Sequence, residues 1–267
     1  MAQDLIMSSR DSRRLQAPAL LVAALLQIAF ARVTDLLHVG QNVEVRSAAT
    51  SHPLVPWGYA FIIWGVIYAY ALGTALWQLG PNQRSNRALR AAGWQTACIY
   101  LINAVWQIWV PLHGFDMVSV AMVAVSLFLG ISSLMRLKSL SLSRKDELLV
   151  AGPLALVTGW LTAACFVNFT SFLVATHAAW LNPLDTNISL IFLVGLIAFA
   201  GVVVAFSHSL LYSLAIMWAL FWVMMANIYR DHEFSMATVA LVGILLVAAI
   251  TGRQLYESGH RGEPMHA

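Results

Sequence analysis

The sequence predicts an all-α fold, a polytopic transmembrane helical bundle of about eight spans with both termini cytoplasmic. Three observations lead there. Of the 267 residues, 60% are hydrophobic and only 10% are charged, against roughly 45–50% and about 25% in an ordinary soluble domain. The charge-free runs are long enough to cross a bilayer, which takes about 20 apolar residues. Lys and Arg gather almost entirely on one side of those runs. With 15 basic and 12 acidic side chains set in short clusters, the chain lacks the charge to cover a soluble surface. That excludes a soluble enzyme, a disordered chain and a nucleic-acid-binding module. The net charge of +3 reads as a topology signal and implies no nucleic-acid partner. Cys98 and Cys165 both lie in apolar runs and imply neither a disulfide framework nor a metal cluster.

The spans follow in order. The first is about Ala17 to His38, and the second starts at Pro56-Trp57 and runs to about Leu79. The third fills the uncharged run Ala91–Phe115, the fourth is Met117–Met135, and the fifth is about Leu148–Phe169. Then Thr186–Tyr229 runs for 44 residues without Asp, Glu, Lys or Arg. As one helix it would be about 66 Å long at ~1.5 Å per residue, twice the ~30 Å hydrocarbon core, so it must fold back. The polar triplet Ser207-His208-Ser209 is the expected hairpin turn. It separates span six, about Ile188–Phe206, from span seven, about Leu210–Ile228; span eight is about Met236–Thr251.

Orientation follows from Lys and Arg. With a cytoplasmic N-terminus, the inner segments carry Arg10, Arg13, Arg14, Arg84, Arg87, Arg90, Arg136, Lys138, Arg144, Lys145, Arg253 and Arg261. The outer side carries only Arg46 and Arg230, and Arg32 lies inside span one. This bias requires an even number of spans. Arg13-Arg14 ahead of an apolar run also resembles an export signal. The run continues into Arg32 and Asp35 without a clean small-residue cleavage site, so a retained signal-anchor helix is expected.

Polar side chains inside a membrane are costly unless they face a partner or a cavity. Span three places Thr96, Asn103, Trp106 and Gln107 on one helical face. Span five carries Thr158, Trp160, Thr162, Cys165 and Asn168, mostly on one side. Trp64 and Tyr68 stand four apart in span two, and Trp218 and Trp222 repeat that spacing in span seven, followed by Asn227. Asn and Thr bond across transmembrane helices, and Trp at helix ends anchors the interface. That accounts for Trp57, Trp77, Trp94, Trp109 and Trp180. Trp64, Trp106 and Trp160 lie deeper, and for them both packing and a ligand cavity stay open. An aromatic pocket with a few amides suits a flat apolar ligand. Arg32, Asp35 and His38 recur at i, i+3, i+6 near the outer end of span one, where an Arg32–Asp35 pair or snorkelling lowers the cost of the charges. His177 and His208 fall in connections, interfacial or else available to a tetrapyrrole metal. Asp231-His232-Glu233 reads as a solvated charged turn. No metal-ligand spacing, no Ser/His/Asp arrangement and no phosphate-binding glycine loop is present, so no enzyme is expected.

Three segments carry a resemblance. Pro56-Trp57-Gly58-Tyr59-Ala60-Phe61-Ile62-Ile63-Trp64-Gly65-Val66-Ile67-Tyr68 resembles the second helix of the tryptophan-rich sensory protein family (TspO/MBR, the translocator protein or peripheral benzodiazepine receptor family). Asn103-Ala104-Val105-Trp106 resembles the Asn-x2-Trp of its third helix. Pro153, then Gly159-Trp160 and Asn168, resembles its fifth. The resemblance covers about residues 17–180 and is closest to the longer bacterial branch, in which further helices follow a five-helix core. Two spacings depart from the short members. Phe61 precedes Trp64 by three residues instead of four, with Ile62 where those members have proline, and Pro153 stands seven before Trp160 instead of four. The short members' ligand geometry is therefore not assumed for this chain.

The resemblance implies four segments: a cytoplasmic tail over 1–16, a five-helix core over 17–180, a three-helix extension over 181–253 and a second cytoplasmic tail over 254–267. It implies a cavity among spans one to five, capped by the loop at about Val39–Leu54. The implied ligand is a porphyrin or haem-type tetrapyrrole, another pigment or a similar hydrophobe, bound for sensing, regulation or transport. Carried over, the ligand-binding residues are Trp64, Tyr68, Asn103, Trp106, Trp160 and Asn168. The expected surroundings are the lipid bilayer, in a bacterial inner membrane. Assembly as a homodimer or within a larger membrane complex stays open. Two further readings stand beside this one: an accessory subunit of a larger, pigment-containing photosynthetic complex, and a secondary transporter or channel. No inverted repeat favours the last.

Overall fold

The structure, a computed structural model, describes residues 2–177, 182 and 184–261; the side chains of 2–14, 35, 259 and 261 lie outside that description. The proposed Arg32–Asp35 pair, the Trp180 anchor and the side chains of Arg10, Arg13, Arg14 and Arg261 therefore lie outside the described residues.

The chain is a helical bundle. Its elements are α1 (Ala2–Leu37), α2 (Val43–Ala49), α3 (Ile63–Gln78), α4 (Arg87–His113), α5 (Met117–Lys138), the single turn α6 (Arg144–Asp146), α7 (Gly152–Ala175), α8 (Thr186–Ser207), α9 (Leu210–Tyr229) and α10 (Phe234–Arg261). A 3₁₀ turn, Gly58–Ile62, leads into α3, and a π turn, Glu147–Ala151, leads into α7. Among the described residues, seven helical segments are long and apolar enough to cross a membrane. The eighth long helix is α4. Gln95, Thr96, Asn103 and Gln107 interrupt its apolar run, yet it packs between α1 and α5 in the same bundle.

Helix ends follow local chemistry. Asn86 and Asp116 accept from Leu89 N and Ser119 N at the starts of α4 and α5, satisfying backbone donors that have no intrahelical partner. The hairpin at Ser207-His208-Ser209 is present: α8 ends at Ser207, His208 adopts a left-handed conformation, and Ser209 Oγ caps α9 by accepting from Tyr212 N. Among the described residues the non-glycine positive-φ positions are His38, His177, His208 and His232. His38, His177 and His208 follow helix ends, a role usually taken by Gly or Asn, and His232 lies in the turn between α9 and α10. Several ends differ from the reading above, α1 most of all, since it starts at Ala2 where the first span was expected from about Ala17. α7 continues to Ala175 and α10 to Arg261.

Helix contacts close two rings. α1 packs on α3, α3 on α7, α7 on α5, α5 on α4, and α4 returns to α1. On the other side α7 packs on α9, α9 on α10, α10 on α8, and α8 touches α7 and α5. α7 belongs to both rings, and 78% of its apolar stretch is buried, against 28–50% for the other spans. Small residues allow this: a Cβ on Gly159 would lie 2.6 Å from the Tyr212 carbonyl oxygen, so α7 and α9 meet backbone to backbone there. Polar residues on α7 consequently serve several faces, where one side had been expected. The Thr162 hydroxyl meets the Tyr212 hydroxyl of α9 at 2.8 Å, while Trp160 and Asn168 face the first ring.

Candidate ligand-binding site

The aromatic residues of α3 and its 3₁₀ lead-in meet α7 inside the first ring. Trp64 and Tyr68 stack, with centroids 5.5 Å apart. Phe61 and Trp64 both set edges against Trp160, at 6.1 and 6.2 Å. Phe61 stands near the end of the 3₁₀ turn and Trp64 in the first turn of α3, and residues three apart lie on one side in either kind of helix. From α4, Trp106 leans on Phe115 at 6.5 Å. From α7, Asn168 Oδ1 accepts from Ser119 Oγ at 3.0 Å.

Five of the six expected residues, Trp64, Asn103, Trp106, Trp160 and Asn168, line one internal cavity of about 50 Å³. Tyr68 does not reach it. Tyr68 lies on the far side of Trp64, accepts from Gln107 Nε2 at 2.8 Å, and lines an open cleft of about 830 Å³ between α1, α2, α3 and α4. Phe61, Trp64 and Val43 line both spaces, so they form the wall between them. Arg32 and Glu44 sit on the cleft side. His177 and His208 line neither space.

Two buried donors on residues lining the cavity, Asn103 Nδ2 and Trp106 Nε1, have no hydrogen-bond partner among the described residues. The remaining surface is mainly apolar. Among the described residues lining this cavity there is no His, Cys or Met.

The cavity is not confined to spans one to five. Leu196 of α8 and Ala219 and Val223 of α9 complete its wall, while α1 contributes only to the outer cleft. These residues look like ordinary apolar helix positions, and nothing in their spacing singles them out. The expected cap is present: Val43 and Ser47 of α2, with Pro56, close the cavity on the loop side. α2 itself is held at the end of α4, where Pro111 O accepts from Gln41 N at 3.0 Å and from Arg46 Nη2 at 3.0 Å.

The second half of this loop is tied to α7 and α9. Trp57 N donates to Trp222 O at 3.1 Å, Asn227 Nδ2 to Pro53 O at 2.7 Å, Arg230 Nη2 to Val55 O at 2.9 Å, and Trp218 Nε1 to Ala60 O at 2.9 Å. Trp57 also packs edge-on against Tyr229. His52 is buried beneath. Leu54 N donates to its Nδ1, which leaves the proton on Nε2, 2.9 Å from Thr170 Oγ1 and 3.2 Å from Ser171 Oγ. Burial, reinforced by the Arg230 charge, pushes the imidazole down to about 3, so it stays neutral.

No curated protein and no solved structure matches the chain. The model of the TSPO-like protein family matches residues 17–252, from the first span through most of α10. With that match over most of its length, the chain belongs to the TSPO-like protein family.

Proposed function

We propose that this integral membrane protein of the TspO type binds a flat, largely apolar ligand of the tetrapyrrole class among α3, α4 and α7, for sensing, regulation or transport and not for catalysis. The observation that supports this reading is the pair of buried donors, Asn103 Nδ2 and Trp106 Nε1, left without acceptors among the described residues in an aromatic cavity. A buried donor without a partner costs about 1–3 kcal/mol. A ligand presenting a carbonyl, carboxylate or ring nitrogen there removes that cost, while Trp64, Trp106 and Trp160 offer ring faces and edges for stacking.

The volumes define how such a ligand would enter. Sites for molecules of this size run to about 300–1,000 Å³. The cavity of about 50 Å³ is too small as it stands, and the neighbouring cleft of about 830 Å³ is large enough. Rotation of Phe61 and Trp64, the shared wall, would join the two. The ligand's acceptor end would then reach Asn103 and Trp106, and its acidic edge would stay in the cleft beside Arg32. Stacking and hydrogen bonds, not an axial metal bond, would hold it. The Lys and Arg distribution supports both termini on the cytoplasmic side, and the resemblance to the longer bacterial branch supports a bacterial inner membrane.

The test is a titration of the purified protein in lipid nanodiscs with metal-free protoporphyrin, followed by tryptophan fluorescence. Saturable quenching with fixed stoichiometry is expected. Linear quenching that never saturates would overturn the reading.

A further inference from the structure

At the other end of α3, α1, α3 and α4 diverge around a second space. Gln78 is fourteen residues beyond Trp64 on the same helix, about 21 Å at ~1.5 Å per residue. The cavity there measures about 430 Å³ and lies where the apolar stretches of α1 and α3 stop, which is where lipid headgroups lie against a spanning helix. Its polar side is made by Gln16, Gln78, Gln83, Arg84, Asn86 and Arg90. Pro18, Leu79 and Leu89 give it an apolar side.

The amides are fixed by their own bonds. Gln16 Nε2 donates to Leu89 O, and Gln78 Nε2 donates to Ala17 O at 3.2 Å. Gln16 is seated in the groove over Gly93, where any Cβ would collide with it. Asn86 accepts from Leu89 N and donates to Asp146, an acid that lies outside the cavity wall. Two features are left without partners. The guanidinium groups of Arg84 and Arg90 have no hydrogen bond or ion pair among the described residues, and both residues line the cavity. Gln78 Oε1 is buried without a donor among the described residues, on a residue that is only 4% exposed. The N-terminus of α4, a helix of 27 residues, adds its partial positive charge at the same place.

We infer that this cavity holds the headgroup of an anionic phospholipid carrying hydroxyl groups, a phosphoglycerol head. Its phosphate sits between Arg84 and Arg90, a headgroup hydroxyl donates to Gln78 Oε1, and an acyl chain lies along Pro18, Leu79 and Leu89. Basic pockets between transmembrane helices at a membrane surface bind anionic heads in this manner, each basic residue contributing on the order of 1 kcal/mol. The buried acceptor adds the requirement for a donor, which a phosphocholine head lacks. This inference is independent of the aromatic cavity and of what binds there.

Native mass spectrometry of the full chain, released from mixed micelles of phosphatidylglycerol, phosphatidic acid and phosphatidylcholine, tests it. One phosphatidylglycerol per chain should be retained in preference to the other two. R84Q with R90Q should weaken retention at least tenfold. R144Q with K145Q removes the same charge outside the cavity and should change it less than twofold. Q78L should lower the preference for phosphatidylglycerol over phosphatidic acid and leave phosphatidic acid retention unchanged. Equal losses in the two double variants, or no preference for anionic lipid, would overturn the proposal. Soluble glycerol phosphate forms the competing arm. Saturation by it at the same arginines would keep the phosphoglycerol chemistry and move its source from the bilayer to the aqueous phase.

Discussion

The backbone N–H of Trp57 donates to the carbonyl of Trp222 at 3.1 Å, tying the segment that covers the aromatic cavity to α9. Trp218, one turn earlier on α9, donates to Ala60 O, and Arg230 to Val55 O. α9 and the residue that follows it thus hold the entrance to α3, and α8 and α9 complete the cavity wall. Trp218→Phe removes a donor and leaves the Ala60 carbonyl without its side-chain partner, at a cost of about 1 kcal/mol. Hydrogen–deuterium exchange over 51–60 should rise in this variant and in Arg230→Ala, with exchange in α5 unchanged. Unaltered exchange over 51–60 would show that α9 does not restrain the cover.

His52 makes the same region sensitive to acid. Unfolded, its imidazole takes a proton near its ordinary value of 6.5; folded, burial holds it unprotonated down to about 3. Acid therefore favours the unfolded chain. Stability present above pH 6.5 falls as pH drops from 6.5 towards 3, by up to ~1.4 kcal/mol per pH unit from this group. Thermal melts at pH 7.5, 6 and 5 should show a steeper loss for the native chain than for His52→Gln. Parallel curves would contradict it.

Backbone proximity between α7 and α9 gives a third expectation. A methyl at position 159 would lie 2.6 Å from Tyr212 O and 2.8 Å from the Ala215 Cβ. Gly159→Ala should cost about 1–3 kcal/mol through overpacking, less the helix-propensity gain of just under about 1 kcal/mol. Gly58→Ala, with nothing within 4 Å of its Cβ, should leave the melting temperature unchanged.

Asn103 separates stability from binding. Its Nδ2 is buried without an acceptor in the cavity. Asn103→Leu, close in size, should raise the thermal stability of the ligand-free protein by on the order of 1 kcal/mol. The same variant should bind porphyrin more weakly. Equal losses of stability and affinity would show that the amide serves packing alone.

Much of this was legible in the sequence. The hairpin at Ser207–Ser209 had to exist, because 44 charge-free residues cannot lie in one span, and Trp64, Asn103, Trp106, Trp160 and Asn168 do meet. Three features were not legible, each for a physical reason. The 3₁₀ turn that carries Phe61 into α3 was not legible, because residue spacing alone does not distinguish a 3₁₀ turn from α-helix. α2 is seven residues long, too short for a periodic pattern, and is held by Asn42 and the Pro111 carbonyl. Ala219 and Val223 enter the cavity wall through tertiary packing of α9 on α7, on a helix apolar enough to show no marked face.

The central claim is that the aromatic wall between cavity and cleft is the ligand's binding surface. The most direct measurement compares protoporphyrin titrations of the native chain with those of a double variant, Trp64→Ala with Trp160→Ala, in nanodiscs. Porphyrin absorbance serves as the readout, so that the lost tryptophans do not bias it. The account predicts a saturable shift in the native chain and at least tenfold weaker affinity in the double variant, with the melting temperature still defined. An affinity unchanged by the double substitution would contradict it.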